Sequence, residues 1–485
     1  MNSSDQSKLS LTGSVSLGTG VMIGAGIFVL MGQIAELVGA LFPLAFVAGA
    51  VVVGFSAYSY VKFSSAYPSA GGVAMFMRKA FGPGTKAGTF SLLMYVSMVI
   101  AESLVARTFG SYTLRLFDGG NAAVLVPTLG VLLIAVAYVV NISGNSVIER
   151  TAKLTAVLKI GGIAVLAVAG LVAAGPPSAE SWRTAAASTG SGGAFNFLAA
   201  LALSILAFKG FTTITNQGDD IVDPRRNLGR SIILSLLICT VIYTVLALSV
   251  ASSLSIEEVV QAKDYALAAA AEPVFGSSGL ILTVLLAIVA TVSGLIASVF
   301  SASRMLAMLS DMKQLPRLYR GLRNPALTIT VALAISLTVL FDLSRIASIG
   351  AIFYLTMDIA IHYGLVRHLR DEVEFSPWIP VVAIGLDAVI LSAFVLLKFR
   401  QDPLVVIVAL VGFIAILVAQ RLFMITHTDD QGVMHMEMDM DGMDMAGMDM
   451  DGMDMAREDP ASMNHEGQGH QSPGKMTDGT VDSDD

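Results

Sequence analysis

Of 485 residues only one is cysteine, and only 14% carry a charge. The single thiol, Cys239, lies midway along an apolar run, so it can form no internal disulfide and reads as a small packing residue. In soluble domains about a quarter of residues are Asp, Glu, Lys or Arg, so so little charge excludes a solvated surface around most of this chain. There is no stripe of Lys and Arg for a nucleic acid to follow. No Gly-x-x-x-x-Gly-Lys-Ser/Thr loop is present to cradle a nucleotide phosphate, and no nucleophile–base constellation appears. Neither an ATP-driven pump nor an enzyme is indicated.

What the chain has instead is apolar length. It is 55% hydrophobic, with a mean hydropathy of +0.74. A membrane-crossing helix needs about 20 apolar residues, and twelve such runs are expected, at 13–36, 41–66, 87–117, 121–142, 151–175, 194–217, 230–254, 277–307, 326–341, 344–366, 377–398 and 402–424. The run at 326–341 is short, which leaves counts of eleven or thirteen open. Barrel strands would be about half this length and alternate in polarity; these do not. The predicted class is an all-α integral membrane bundle of about twelve helices, residues 13–424, after a short N-terminal segment, 1–12. The first run lacks a small-residue cleavage site and reads as a retained helix.

Charge is partitioned unevenly. Residues 425–485 hold two basic and sixteen acidic side chains, a net −14, so the overall −8 leaves the bundle at +6. With the N-terminus inside, Lys and Arg in short loops fall eighteen inside and six outside. The excess of positive charge inside places both termini in the cytoplasm and the protein in the cytoplasmic membrane.

Within the first run lies Gly20-Val21-Met22-Ile23-Gly24-Ala25-Gly26-Ile27-Phe28. Glycine disfavours helix, so an unwound segment is expected here. Unwound backbone survives at membrane depth only against protein or a cavity, and in carriers such breaks hold the substrate. Tight packing against another helix is the alternative for a glycine run. Five helices later, Ala207-Phe208-Lys209-Gly210-Phe211-Thr212 offers a weaker break at the matching place.

Further stretches follow in order: Tyr67-Pro68-Ser69-Ala70-Gly71-Gly72 with Phe81-Gly82-Pro83, then Asp219-Asp220-Ile221-Val222-Asp223-Pro224-Arg225-Arg226-Asn227, then Ser301-Ala302-Ser303-Arg304. With the first glycine break they resemble the amino acid–polyamine–organocation transporter superfamily over about residues 10–424. Leu228-Gly229 departs from the family's usual Ile-Pro, and Thr212 stands where many members carry Glu. The resemblance implies two inverted five-helix repeats, about 13–175 and 194–366, with broken helices one and six, plus two further helices at 377–424. It also implies alternating access, an amino acid or polyamine as substrate, and no required cofactor.

An amino acid presents one carboxylate and one ammonium. N–H groups of Gly24, Ala25 and Gly26 at a half-helix start would take the carboxylate. Carbonyls of Val21, Met22 and Ile23, shared with those of Ala207, Phe208 and Lys209 around Gly210, would take the ammonium. Phe208 and Phe211 are candidates for an aromatic gate, with plain packing as the alternative. Lys159, in the fifth helix, is the candidate for proton coupling: in some relatives a lysine there stands where sodium-driven cousins bind sodium, and burial lowers a lysine pKa. The alternative is snorkelling to the interface. Lys209 in the cavity would repel a cationic substrate, which favours a small neutral amino acid. Glu102 and Arg107 are intramembrane charges expected to pair with other helices, structurally or as a gate. Asp358 and Asp387 are expected to be buried hydrogen-bonded groups.

The tail, 425–485, is expected to be disordered, and it repeats Met-Asp-Met-x-Gly. Thioethers are soft ligands that select Cu(I). The candidate ligands are Met434, His435, Met436, Met438, Met440, Met443, Met445, Met448, Met450, Met453, Met455, His465 and His470. A low-complexity repeat without metal is the alternative. The leading reading is therefore a proton-coupled secondary carrier of an amino acid. The second is a copper-related carrier or metal-regulated permease. Against a copper path, the spans offer only Cys239, His362 and scattered methionines. A non-transporting receptor on the same fold stays open.

Overall fold

The computed structural model describes residues 8–117, 121–143, 145–175, 193–315 and 323–440. The chain divides into two units, Met1–Thr428 and Asp429–Asp485. The helices of the first are α1 Leu11–Val38, α2 Phe42–Ala66, α3 Gly72–Phe81, α4 Thr85–Thr113, α5 Ala122–Ser143, α6 Asn145–Ala174, α7 Gly193–Phe208, α8 Thr212–Thr215, α9 Pro224–Ser253, α10 Ile256–Gln261, α11 Ala266–Asp311, α12 Pro325–Leu340, α13 Leu343–His368, α14 Trp378–Gln401 and α15, which starts here and spans Pro403–Met440. Among the described residues there is no named strand.

Among the described residues ten stretches are long and apolar enough to cross a membrane. One of them, Leu11–Ala66, folds at the 3₁₀ turn Gly39–Leu41 into α1 and α2. Helix α12, at 16 residues, is a shorter apolar helix. Together these make the twelve helices that the hydropathy pattern predicts. Large apolar side chains such as Val139, Val165, Leu237 and Leu410 are exposed on the outer faces, as lipid-facing helices require. Element order repeats: a short helix follows the second span of each set, α3 after α2 and α10 after α9. Helix α11 carries Pro273 and a non-helical Gly276 (φ 64°), so its membrane segment starts at that kink, beside the predicted 277.

Helix α1 is the hub, packed against α6, α7, α9 and α11. It corrects one expectation: α1 is continuous from Leu11 to Val38, so the predicted break at Gly20–Phe28 is absent in this conformation. Its glycines serve close approach instead. A Cβ on Gly24 would lie 3.1 Å from the Ala290 carbonyl and 3.2 Å from Gly294 Cα, and one on Gly26 would overlap the Ala207 carbonyl. Helix α1 thus meets α11 and α7 backbone to backbone, the packing alternative for a small-residue run.

The other predicted break is present. Helix α7 ends at Phe208, Lys209–Phe211 form a 3₁₀ turn, and α8 resumes at Thr212. Three threonine hydroxyls satisfy the loosened backbone: Thr212 donates to Lys209 O (3.0 Å), Thr213 to Gly210 O (2.7 Å) and Thr215 to Thr212 O (2.6 Å). The run Thr-Thr-Ile-Thr therefore makes the turn tolerable away from water.

In α15 the apolar part is Pro403–Ile425, and its backbone stays helical past the predicted end at 424, to Met440. The side chains of Met434, His435, Met436, Met438 and Met440, and all of Met443, Met445, Met448, Met450, Met453, Met455, His465 and His470, lie outside the described residues.

Candidate functional site

A cavity of about 50 Å³ lies between α1, α4, α11 and the turn after α7. From α1 it is lined by Val21, Met22, Gly26 and Leu30, and from α4 by Met98, Ala101, Leu104 and Val105. The α7 end contributes Leu206, Ala207, Lys209, Gly210, Thr212 and Thr213, and α11 contributes Gly294 and Ser298. That volume holds a few waters, so a larger solute enters only when these helices part. The lining is apolar except for Lys209, the two threonines and Ser298.

The structure thus gathers Val21, Met22, Gly26, Ala207, Lys209 and Gly210 around one cavity. Gly210 lies so close to α1 that a Cβ there would come within 2.6 Å of Met22 N. The other site residues stand apart from the lining. Ile23 is buried in the core, Gly24 faces α11, and the Ala25 side chain is outside the described residues. Phe208 and Phe211 pack on tyrosines rather than over the cavity, Phe208 against Tyr243 and Phe211 edge-on to Tyr60, each with ring centroids 5.0 Å apart.

Three buried side chains from three helices donate to carbonyls of α1. Lys159 Nζ from α6 reaches Gly20 O at 2.8 Å, Tyr243 from α9 reaches Met22 O at 2.7 Å, and Tyr112 from α4 reaches Phe28 O at 3.0 Å. Lys159 is 2% exposed, so it does not snorkel to an interface. In an α-helix the carbonyl of residue i accepts from the N–H of residue i+4. Gly20 O and Met22 O are accordingly the helical partners of Gly24 and Gly26, and each has a second donor in place. Lys159 was legible as a buried base. Tyr112 and Tyr243 were not, because a tyrosine in an apolar helix has no spacing that marks its hydroxyl's partner.

The intramembrane charges distribute as follows. Arg107 Nε donates to Thr338 O of α12 at 2.8 Å, a cross-helix pairing of the kind expected. Glu102 is fully buried, and neither carboxylate oxygen has a hydrogen-bond partner among the described residues; Lys209 is the charge that acts on it. The Lys209 ammonium donates to Ser97 Oγ and sits 5.5 Å from the Tyr354 ring centroid. Asp358 is hydrogen-bonded as expected. Among the described residues Asp387 has His362 Nε2 beside it, at 3.3 Å, and no hydroxyl donor of the kind that holds Asp358.

Polar contacts also tie the helices together beyond the cavity, towards each end of α1. Where α1 begins, Leu9 pairs with the segment after α8 (Leu9 N to Asp220 O, 2.6 Å), Ser14 donates to Gln217 (2.6 Å) and Arg304 to Asp220 (2.7 Å). At the opposite end Lys263 pairs with Glu36 at 3.1 Å and Arg115 stacks on Tyr265.

Residues 9–428 match the family model described as amino acid permease. The inner membrane transport protein YbaT of Escherichia coli is 30% identical over 382 residues, covering 78% of this chain and 86% of that protein. The serine/threonine exchanger SteT of Bacillus subtilis is 24% identical over 431 residues, 84% of this chain and 95% of its own. The branched-chain amino acid permease BcaP of Bacillus subtilis is 28% identical over 244 residues, about half of each chain (47% and 50%).

Proposed function

The chain belongs to the amino acid permease family, a family of multi-pass membrane carriers and not of enzymes, and from that premise we propose that it moves a small neutral amino acid across the cytoplasmic membrane by alternating access, coupled to protons. Amino acid transport is the family's work; the substrate class, the coupling and the orientation with both termini inside are our reading.

The observation that carries it is the pairing of second donors with the glycine run. Gly24 and Gly26 can turn their N–H groups from Gly20 O and Met22 O towards a substrate carboxylate. Lys159 and Tyr243 then keep those carbonyls satisfied, so the rearrangement leaves no orphaned acceptor at membrane depth. Continuous α1 is the resting state in this scheme, and the unwound Gly24–Gly26 segment the loaded one. Carbonyls of Ala207, Phe208 and Lys209 before Gly210, with that of Val21, accept from the ammonium. Lys209 repels a cationic side chain, and Leu30, Met98, Leu104 and Leu206 favour an aliphatic or short one. Lys159, tied to Gly20 O, links its own protonation to the conformation of α1.

Proteoliposome uptake of labelled neutral amino acids under an imposed pH gradient tests this. Uptake should be gradient-driven and be uncoupled or lost in Lys159→Ala. Uptake that is independent of the gradient and unchanged by that substitution overturns the coupling.

The Met-rich tail carries a separate proposal, argued from ligand softness alone: it binds Cu(I) as a sensor or buffer attached to an organic-substrate carrier.

A further inference from the structure

On the side of the bundle away from Lys159, α2, α13 and α14 enclose Asp358, His362 and Asp387, all with no exposed surface. Each of the three offers a ligand atom within 4.8 Å of the others. Asp358 accepts two hydroxyl hydrogen bonds: Ser56 donates to Oδ2 and Tyr60 to Oδ1, both at 2.5 Å. His362 Nδ1 is engaged by Ser59 Oγ at 2.8 Å. That leaves Nε2 between two carboxylates, 3.7 Å from Asp358 and 3.3 Å from Asp387. Among the described residues His362 Nε2 is the one donor group set against buried Asp387.

We propose that the His362–Asp387 pair, backed by Asp358, is an exchangeable proton-binding site, separate from the substrate cavity and from Lys159. Two acids and one base in a dry interior are neutral only when they share two protons; an uncompensated charge there is too costly. Both oxygens of Asp358 are already taken up by hydroxyl donors, so the shared protons are assigned to His362 and Asp387, which act as one unit. The surrounding charges give the same count. The ionisable neighbours are Tyr60 from α2, Tyr354 from α13, Lys209 from the turn after α7 and Glu102 from α4. Helix α7 supplies no ionisable group, and Arg78 and Lys79 of α3 are exposed. Glu102 and Lys209 added to the cluster make three acids and two bases, again neutral with one carboxyl protonated.

The site reaches the cavity through two tyrosines. Tyr60 bonds Asp358 with its hydroxyl and meets Phe211 with its ring, while Tyr354 stands between the cluster and the Lys209 ammonium. Losing the proton leaves the cluster at −1 and draws Lys209 away from the cavity, so protonation sets the load on the broken helix. A divalent ion fits less well. Zinc takes four ligands; three are present, and Ser56, Ser59 and Tyr60 already bond to them.

The inference rests on the proton-coupled reading, and its test has one arm that does not. Infrared difference spectra of the full chain in liposomes, taken between acid and alkaline pH, should show the C=O stretch of a protonated buried carboxyl in wild type and in Glu102→Gln, absent in Asp387→Asn. Uptake should fall with rising pH by up to about tenfold per unit above the transition, the limit for one proton. In Asp387→Asn, which keeps the shape of the protonated acid, that component of the profile should be lost, leaving only what Lys159 contributes, with substrate binding retained. His362→Gln should shift the wild-type profile and serves if Asp387→Asn folds poorly. A carboxyl band and pH profile unchanged in both variants overturn the proposal. So does a stoichiometric divalent metal in purified wild type that Asp387→Asn loses. If the band behaves as expected but wild-type uptake ignores the pH gradient, the site stands and the coupling falls.

Discussion

Replacing Tyr243 by Phe removes one oxygen from a fully buried side chain whose hydroxyl donates to Met22 O at 2.7 Å and to Ala207 O at 3.4 Å. At rest Met22 O keeps its helical donor, the Gly26 N–H, so the loss is one ordinary hydrogen bond, about 0.5–1.5 kcal/mol. With substrate bound, that N–H is turned to the carboxylate and Met22 O becomes a buried acceptor with no partner, which costs about 1–3 kcal/mol. The difference between the two states, about 0.5–1.5 kcal/mol, weakens substrate binding by roughly two- to tenfold. Phe fits the same space, and its ring keeps the contacts with Phe46 and Phe208. The assay pairs thermal unfolding without ligand against equilibrium binding of the transported amino acid. The expected outcome is a melting temperature lowered by a few degrees and a clearly larger Kd. An unchanged Kd, with or without a fall in melting temperature, would refute the idea that α1 opens at Gly26 when loaded.

The two neighbouring glycines should differ in kind. Gly26→Ala overlaps the Ala207 carbonyl and forces α1 off α7, so transport should be abolished, whereas Gly24→Ala meets atoms at 3.1–3.2 Å and should retain partial uptake; equal activities would contradict the geometry. Thr213→Val removes the 2.7 Å hydroxyl donor to Gly210 O, which keeps a backbone donor, and should cost about 0.5–1.5 kcal/mol in thermal stability, read as a lowered unfolding midpoint. Arg304→Ala breaks the 2.7 Å pair with Asp220, and should raise labelling by thiol reagents of a cysteine placed at Ser298 in the cavity; labelling no faster than in the parent would dismiss a closing role for that pair. A synthetic 430–470 peptide should bind Cu(I) under reducing conditions, and binding no better than a Met→Leu control would end the metal reading of the tail.

The helix pattern was legible because lipid and backbone impose it directly: each apolar run returned as a helix within a few residues, and even the Gly276 kink fell at the start of the predicted eighth run. The break at Gly210 was legible from its place five helices after the first. The state of the first glycine run was not. Glycine lowers the cost of unwinding and of close packing alike, and only the positions of Gly294, Ala290 and Ala207 decide between them. Of the site, residues that change composition stood out: Lys159, Lys209 and Glu102 are charges in apolar helices. Hydroxyl donors did not, since serine, threonine and tyrosine are common in such helices. Asp358 and His362, four apart, could be placed on one helix face, but their meeting with Asp387 and Tyr60 depends on how three helices pack.

The short helix α12 has a bearing on where the protein can work. At 1.5 Å per residue its 16 residues span about 24 Å, against a hydrocarbon core of about 30 Å. It packs on α4, α5 and α11 while Ile329, Leu333, Val339 and Leu340 face outward, so the surrounding lipid has to thin along that flank. Each ångström of mismatch costs a fraction of a kcal/mol. Acyl-chain length therefore becomes a variable in the carrier's conformational balance: bilayers of shorter-chain lipid relieve the pinch, and thick ones load it onto α4, the helix that brings Glu102 and Ser97 to Lys209.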